Sequence, residues 1–309
     1  MRLVRFNRNV EPPSLARLGV LITPDIVADL RGGYAAFLHR DGGPHAREIS
    51  VLRMPSAIAS FLQLGRVGQQ ALQAVLFWLA ELATDDRDPR GPVDDILFTP
   101  LADCRRHAPL RLTKLVIAYD NHLNGTATGP SFTLKPPTSV VDGTHDIRCP
   151  GGVGALRCAP GLAIVIGRKC TNASEMEAID AIAGYTAVND VRVHEPSNDD
   201  DTSAFTSGMF ESFAPMGPWL VTKYEIHDPM NLQIEMRVNG DLRHQFKTPQ
   251  MRWPVSRLVA YLSRMMSEPG DVIWTESVAQ AENDSGVRVD DVVETHFENI
   301  GDLRNRLVA

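Results

Sequence analysis

Apolar runs of different lengths predict strands and helices in mixed order, most clearly in the middle of the chain. Residues 162–166 form an unbroken apolar run closed by a glycine, which is the pattern of a buried strand. Residues 175–182 have helical spacing, and residues 185–193 are strand-like again. The helix is expected to carry its apolar stripe on Met176, Ile179 and Ile182. We therefore expect two neighbouring strands joined by a helix.

The same patterns recur on both sides of this central stretch. Further strands are predicted at residues 2–6, 18–24, 26–30, 114–119, 232–238, 241–246 and 287–299, and helices at 56–64, 67–82 and 254–266. The dipeptide Asn239-Gly240 predicts a tight hairpin, because a type I′ turn needs positive φ at both central residues. In the last helix, Leu258, Leu262 and Met265 are expected to point inward.

Composition and charge narrow the class of protein. The net charge is −7 and the basic residues form no cluster, which makes nucleic acid an unexpected partner. No apolar run approaches the roughly 20 residues of a membrane helix, and the first residues lack a signal-peptide core. The four cysteines form no Cys-x-x-Cys pair. These features predict a cytoplasmic protein with neither a nucleic-acid nor a membrane partner.

Several motifs occur in the order found in one known family. They are Phe-Thr-Leu-Lys-Pro-Pro-Thr-Ser at 132–139, Leu-Ala-Ile-Val-Ile-Gly at 162–167, Ala-Gly-Tyr-Thr-Ala-Val-Asn-Asp at 183–190, Met-Gly-Pro-Trp at 216–219 and Pro-Gly-Asp-Val-Ile-Trp-Thr at 269–275. Together they resemble the fumarylacetoacetate hydrolase family across nearly the whole chain.

The resemblance implies an α+β fold that is mainly β, a mixed β-roll with peripheral helices. A small N-terminal α+β domain at residues 1–105 would precede a catalytic domain at 106–309. A charged, proline-bearing linker is expected near residues 85–92. Family members are commonly homodimers, and the resemblance implies the same here.

The family holds a divalent metal with three carboxylates, and only one of them is kept. Asp190 matches the family aspartate, whereas the two glutamate positions fall on Ala159 and Gly161. Hard divalent cations need several oxygen ligands, so one aspartate does not complete the site. We expect no bound metal or other cofactor, although the acidic run at residues 199–201 leaves Mg²⁺ or Mn²⁺ binding as an alternative.

The family's proton-transfer motif is also kept only in part. Tyr119 and His122 match it, which implies substrate binding by Tyr119 and a general-base role for His122. The glutamate that orients the histidine in the family is Gly125 here, and the family's catalytic lysine aligns with Gly208. No lysine lies between residues 170 and 222, and the remaining lysines are expected in surface or turn roles.

Two departures from the family pattern look like gains. Asp190, Arg192 and His194 alternate along a strand and are expected to face one side. Arg192 would then fill the metal position and contact the substrate, or form a plain ion pair with Asp190; His194 is a second candidate substrate contact. A carboxylate that has lost its metal needs another source of positive charge.

The second gain is a glutamate that follows the substrate-binding strand. Thr275 is kept from the family motif and is expected to contact substrate, but Glu276 replaces the next glycine. Glu276 would point to solvent, pair with Arg192, or act as an acid or base with a raised pKa. We expect it to line the pocket, so that the substrate lacks the family's usual carboxylate or binds it elsewhere.

Two functions remain open from the sequence. One is a divergent, metal-independent enzyme that acts on a small 2-oxo or β-diketo acid, or a related enol. Its catalytic residues would be His122, Asp190 and Glu276. Hydrolytic C–C cleavage is the family's reaction, while decarboxylation, hydration or tautomerisation also suit such a site. The other is a pseudoenzyme or partner subunit that keeps the pocket without the chemistry.

Overall fold

The computed structural model describes most of the chain. Outside the description are residues 85–88, 93–94, 112–113, 120, 122–128, 195–206, 266–267 and 277–285, together with the side chains of residues 117–119 and 276.

Seventeen strands and six helices are defined among the described residues. The strands are β1 (Arg2–Arg8), β2 (Arg17–Thr23), β3 (Ile26–Asp29), β4 (Phe98–Pro100), β5 (Cys104–His107), β6 (Leu115–Tyr119), β7 (Ser131–Lys135), β8 (Val140–Asp142), β9 (Ile147–Arg148), β10 (Leu156–Ile166), β11 (Ile182–Val193), β12 (Ala214–Thr222), β13 (Gln233–Val238), β14 (Asp241–Lys247), β15 (Val272–Glu276), β16 (Val292–Phe297) and β17 (Gly301–Val308). The helices are α1 (Leu30–Arg40), α2 (Ala46–Arg53), α3 (Ile58–Gln63), α4 (Arg66–Leu82), α5 (Glu175–Ala181) and α6 (Val255–Leu262).

The strands form two sheets, and the fold is α+β and mainly β, as predicted. The large sheet has the order β4-β3-β2-β1-β12-β11-β10-β15-β6-β7, with β5 paired to β1 and β8 to β12. The small sheet has the order β14-β13-β16-β17-β9. The N-terminal strands therefore continue the large sheet through the β1–β12 pair. The predicted division near residue 105 falls inside β5 and stays a prediction.

Strand β10 lies in the middle of the large sheet and is buried on both faces. Ala163 and Val165 share one apolar cluster with α3 and α4. Leu162 and Ile164 belong to a second cluster with α5 and α6 on the other face. This double burial explains the unbroken apolar run, because a strand covered on one face alone shows alternation. None of the described helices is long and apolar enough to span a membrane.

In two helices, some residues of the predicted apolar stripe lie at the surface. Met176 and Ile179 are 78% and 50% exposed, because α5 packs through its small residues Ala178 and Ala181. Met265 is also exposed and lies beyond the end of α6, whereas Leu258 and Leu262 are buried as predicted. Short alanine contacts let α5 approach the core closely, so its larger apolar residues are left outside.

The hairpin was predicted correctly, whereas two helices were not predicted. Asn239 and Gly240 have φ of 53° and 88° between β13 and β14, as a type I′ turn requires. Helices α1 and α2 have weak local signals. In α1, two glycines lie in the first turns, and a Cβ on Gly33 would approach Leu79 Cδ1 to 3.0 Å. Close packing against α4 therefore explains why α1 contains Gly33, although glycine disfavours an isolated helix.

Candidate active site

Strand register brings Asp190 opposite the two positions that lost their glutamates. In the antiparallel β10–β11 pair, Ala159 lies directly opposite Asp190, and Gly161 lies opposite Val188. Directly paired residues point to the same face of a sheet, so the three family ligand positions share one face. Asp190 is fully buried there.

Two cations bind the Asp190 carboxylate, one at each oxygen. Lys135 Nζ donates to Asp190 Oδ1 at 2.5 Å, and Arg192 Nε donates to Asp190 Oδ2 at 2.7 Å. The Lys135 side chain is 2% exposed and that of Arg192 is 20% exposed. The expected Asp190–Arg192 ion pair is therefore present, and Lys135 completes a three-residue group that we call the cation cluster.

Lys135 corrects a sequence-based expectation. Lysines outside residues 170–222 were expected in surface or turn roles, yet Lys135 is 4% exposed and lies at the centre of the site. Its Nζ also donates to the carbonyl oxygen of Val191 at 2.8 Å. The rings of Trp274 and Phe213 lie with their centroids 5.5 and 5.9 Å from Nζ. The Phe-Thr-Leu-Lys-Pro motif contains Lys135, but only the strand pairing places this lysine next to Asp190.

The cation cluster also lies beside the position of the missing family lysine. A Cβ built on Gly208 would be 3.5 Å from Lys135 Nζ and 3.4 Å from Arg192 Cγ. Lys135 and Arg192, which are distant from Gly208 in the sequence, therefore place positive charge next to the position of the family lysine. Burial, the largest effect, lowers the pKa of Lys135, while attraction to Asp190 opposes that shift.

The described residues do not fit the family's divalent metal. Ala159 and Gly161 carry no ligand atoms, and both oxygens of Asp190 are held by cations. A Cβ on Gly161 would lie 1.9 Å from the carbonyl oxygen of Thr275, because β15 approaches β10 closely at this point. Within the described part of the chain, no three His, Cys, Asp or Glu side chains are grouped to bind a metal. The acidic run at 199–201 lies outside that part.

Thr275 and His194 are the two other predicted substrate contacts whose surroundings are described. The fully buried Thr275 pairs with Leu162, and its hydroxyl bonds the Leu162 carbonyl oxygen at 3.3 Å. Its side chain points to the face opposite Asp190. His194 is exposed beyond the end of β11, and its main-chain N–H donates to Ala155 O. The geometry therefore gives no support to Thr275 as a substrate contact. The His194 bond to Ala155 continues the β10–β11 register, as the predicted alternation with Asp190 and Arg192 requires, and its role as a substrate contact stays a prediction.

The remaining predicted residues are described only in part. His122 lies outside the described residues, and for Tyr119 and Glu276 only the main chain is described. Tyr119 pairs with Ser131, and Glu276 ends β15 opposite Gly161. Their roles stay predictions.

A buried amide fixes the chain immediately before His122. Asn121 is 2% exposed, its Nδ2 donates to the carbonyl oxygen of Trp253 at 3.1 Å, and its Oδ1 accepts from the Trp253 main-chain N–H at 2.7 Å. The two bonds tie the end of the β6 segment to the start of α6. Sequence reasoning did not identify this residue.

Comparison with known proteins agrees with this architecture. A family model described as "Fumarylacetoacetate (FAA) hydrolase C-terminal" matches residues 115–308. A 2-hydroxyhepta-2,4-diene-1,7-dioate isomerase from Mycobacterium marinum is 34% identical, with 68% of this chain and 80% of that chain covered at a TM-score of 0.61.

Two more distant structures match over the full length. The fumarylacetoacetate hydrolase of psychrophilic Exiguobacterium antarcticum has a TM-score of 0.75 at 22% identity, covering 100% of this chain and 99% of that one. A maleylpyruvate hydrolase from Sphingobium sp. SYK-6, solved with manganese(II) and pyruvate, has a TM-score of 0.69 at 22% identity and the same coverage. The chain belongs to the fumarylacetoacetate hydrolase family.

Proposed function

We propose that the protein is a metal-independent enzyme of this family that acts on a small 2-oxo or β-diketo acid, or on the corresponding enol. The observation that carries the proposal is the pair of cations on Asp190, where the family's ligand positions meet. In a dry site, fixed positive charges stabilise a developing enolate or oxyanion strongly. Lys135 and Arg192 would supply the charge that a metal supplies elsewhere.

The chemical class rests on the relatives together with the cation cluster. The 34% identical relative is named as an isomerase of a 2-hydroxydienoate, which is the enol form of a 2-oxo acid. Hydrolytic C–C cleavage is the reaction the family name suggests, and decarboxylation, hydration or tautomerisation use the same enolate. His122 is proposed as the general base, and Asp190 orients the two cations.

The proposal covers Glu276 and the assembly as well. Glu276 is proposed as a second acid or base at the pocket, since its main chain lies opposite Gly161. We further propose a homodimer located in the cytoplasm.

A substrate screen at controlled metal content tests the proposal. Acylpyruvates, oxaloacetate and uncharged ester or ketone analogues are incubated with protein treated with EDTA, and loss of the enol absorbance or release of pyruvate is followed. Turnover that is unchanged by EDTA and by added Mn²⁺ is expected. Turnover that appears only with Mn²⁺ or Mg²⁺ contradicts the metal-independent reaction.

A second function is favoured by the losses in the same site. Ala159, Gly161 and Gly208 replace three groups that do chemistry in the family, so a pocket without catalysis is the alternative. A protein that binds these acids in calorimetry, but turns over none of them, would be a binding or partner subunit.

A further inference from the structure

Lys135 differs from every other lysine of the chain. All five lysines lie in the described residues, and Lys135 alone is buried. The side chains of Lys114 and Lys169 are 52% and 66% exposed, while Lys247 is exposed and Lys223 half-buried. A primary amine in an apolar, aromatic-lined position is a chemical group that an ordinary surface lysine does not provide.

The surroundings of Nζ suit an amine that reacts with a carbonyl. Asp190 Oδ1 at 2.5 Å is in place to take a proton from the ammonium group and return it. Gly208 has no side chain on the side where a Cβ would lie 3.5 Å from Nζ. A side chain at position 208 would contact the nitrogen directly, and Gly208 leaves that one position unfilled.

Burial makes the Lys135 ammonium group easier to deprotonate than that of a surface lysine. Burial lowers the pKa of Lys135 below its usual value, Asp190 raises it, and the neighbouring Arg192 guanidinium lowers it further. Desolvation and a nearby cation are the two ways in which enzymes activate lysine as a nucleophile.

A buried donor near the vacated ligand positions points to a bound oxygen atom. Trp274 Nε1 is buried and has no hydrogen-bond partner within the described part of the protein. The adjacent ring atom Cδ1 would lie 3.2 Å from a Cβ on Gly161. A buried donor without a partner is uncommon in native proteins, and a substrate oxygen at this edge of the ring would satisfy it.

Resting on the proposed function, we propose that Lys135 forms an imine with the keto carbon of the 2-oxo acid. The ammonium group passes one proton to Asp190, and the neutral amine attacks the carbonyl carbon to form a carbinolamine. The carbonyl oxygen takes up protons and leaves as water, so that one ammonium and one ketone give one iminium ion and one water molecule. No oxidant or reductant is needed.

The iminium ion then takes the role that the metal has in related chemistry. The bond that breaks is one on the carbon atom adjacent to the iminium carbon, and its electron pair moves towards nitrogen to give an enamine. The departing group is a proton taken by a base, carbon dioxide from a carboxylate, or an acyl group that leaves as a carboxylic acid after water has added to its carbonyl. Protonation of the enamine and attack by water release the product and restore the amine. Arg192 contributes positive charge beside the acid group of the substrate.

Reductive trapping with pyruvate tests this directly. The whole protein is incubated with pyruvate and sodium cyanoborohydride, digested, and mapped by mass spectrometry. Hydride addition to the iminium carbon is expected to leave a pyruvate-derived secondary amine on the peptide containing Lys135. The four other lysines are internal controls, and equal labelling of Lys114 or Lys169 would overturn the assignment.

Two variants separate imine formation from the proposed function. Lys135→Arg keeps the ion pair with Asp190 and is expected to lose the adduct, while Lys223→Arg is expected to retain it. The wild-type peptide map stands by itself if Lys135→Arg does not fold. Pyruvate binding in calorimetry without any adduct at Lys135 overturns the imine and leaves the proposed function standing. Absence of binding by every 2-oxo acid overturns both.

Discussion

Two aspartates in the large sheet, one buried and one half-buried, are held in different ways. Asp190 is fully buried, and both of its oxygens are taken by side-chain cations, Lys135 and Arg192. The Asp142 side chain is 14% exposed; its Oδ1 accepts from the main-chain N–H of Ala108 at 2.8 Å, and its Oδ2 lies 3.2 Å from His107 Nδ1.

The difference in partners suits a structural role for Asp142 and a role in the active site for Asp190. Asp142 joins β8 to β5, and His107 Nε2 meets Asn7 Oδ1 of β1 at 2.5 Å, so this group ties three strands together. The Asp190 group instead gathers two strong cations where the family's ligand positions meet. One backbone N–H and one histidine hold the Asp142 carboxylate, so a lysine and an arginine on the single carboxylate of Asp190 indicate a further use for their charge.

Removing the carboxylate from the cation cluster should have the largest effect. Asp190→Ala leaves Lys135 and Arg192 close together without their counter-charge, and breaking a buried pair in this way costs about 3–5 kcal/mol. Urea unfolding measures the loss in the free energy of unfolding. The matched control is Asp142→Asn, and an equal or smaller loss for Asp190→Ala would remove the contrast between the two sites.

Substitutions at Gly161 test whether the sheet has space for a metal-binding side chain next to Asp190. A Cβ there meets the carbonyl oxygen of Thr275, so Gly161→Ala should lower the free energy of unfolding by about 1–3 kcal/mol through overpacking. Ala159→Ser at the neighbouring ligand position is the mild control. We expect the double variant Ala159→Glu, Gly161→Glu to bind no Mn²⁺ in calorimetry; stoichiometric Mn²⁺ bound through Asp190 would contradict this.

Arg192 should matter more for ligand than for stability. Arg192→Ala leaves Lys135 on Asp190, so the expected loss in the free energy of unfolding is about 1–2 kcal/mol. The affinity for 2-oxo acids, measured by calorimetry, should fall by more than this loss in the free energy of unfolding would produce. An unchanged melting temperature together with unchanged affinity would remove Arg192 from the site.

The pH dependence of stability should identify Asp142 as the structural carboxylate. Burial opposes its ionisation, but hydrogen bonds from His107 and Ala108 outweigh burial and hold the pKa of Asp142 below its usual value. A lowered folded-state pKa gives stability that is present above the unfolded pKa and is lost as the pH falls through the folded pKa.

The substitution Asp142→Asn isolates that contribution. It should cost about 1 kcal/mol at neutral pH, and the difference from wild type should shrink below about pH 4 as Asp142 itself becomes protonated. Urea unfolding at several pH values measures it. A difference that stays constant down to pH 2 would show that ionisation of Asp142 contributes nothing.

The sequence predicted the local features of the site better than its assembly. The Asp190–Arg192 pair follows from alternation within one strand, and the hairpin at Asn239 follows from its two-residue turn. Lys135 was missed because it reaches Asp190 only through the pairings β7–β6, β6–β15, β15–β10 and β10–β11. Local pattern carries no information about such a chain of pairings.

Packing and strand register explain the other differences between the sequence-based predictions and the structure. Met176 and Ile179 have the right helical spacing, but helix α5 lies close to the core through Ala178, which spacing alone does not show. Thr275 was assigned by motif, yet strand alternation turns its hydroxyl to the Leu162 carbonyl on the opposite face. Motif position fixes the main chain reliably, whereas the direction of the side chain depends on register.

Binding of an enolate mimic with and without metal tests the central claim most directly. Oxalate, a planar dianion that resembles enolpyruvate, is titrated calorimetrically into protein in EDTA and into protein with Mn²⁺. If Lys135 and Arg192 replace the metal, the two dissociation constants are equal, and Lys135→Met weakens both alike. Binding that requires Mn²⁺ and is indifferent to Lys135→Met would contradict the account.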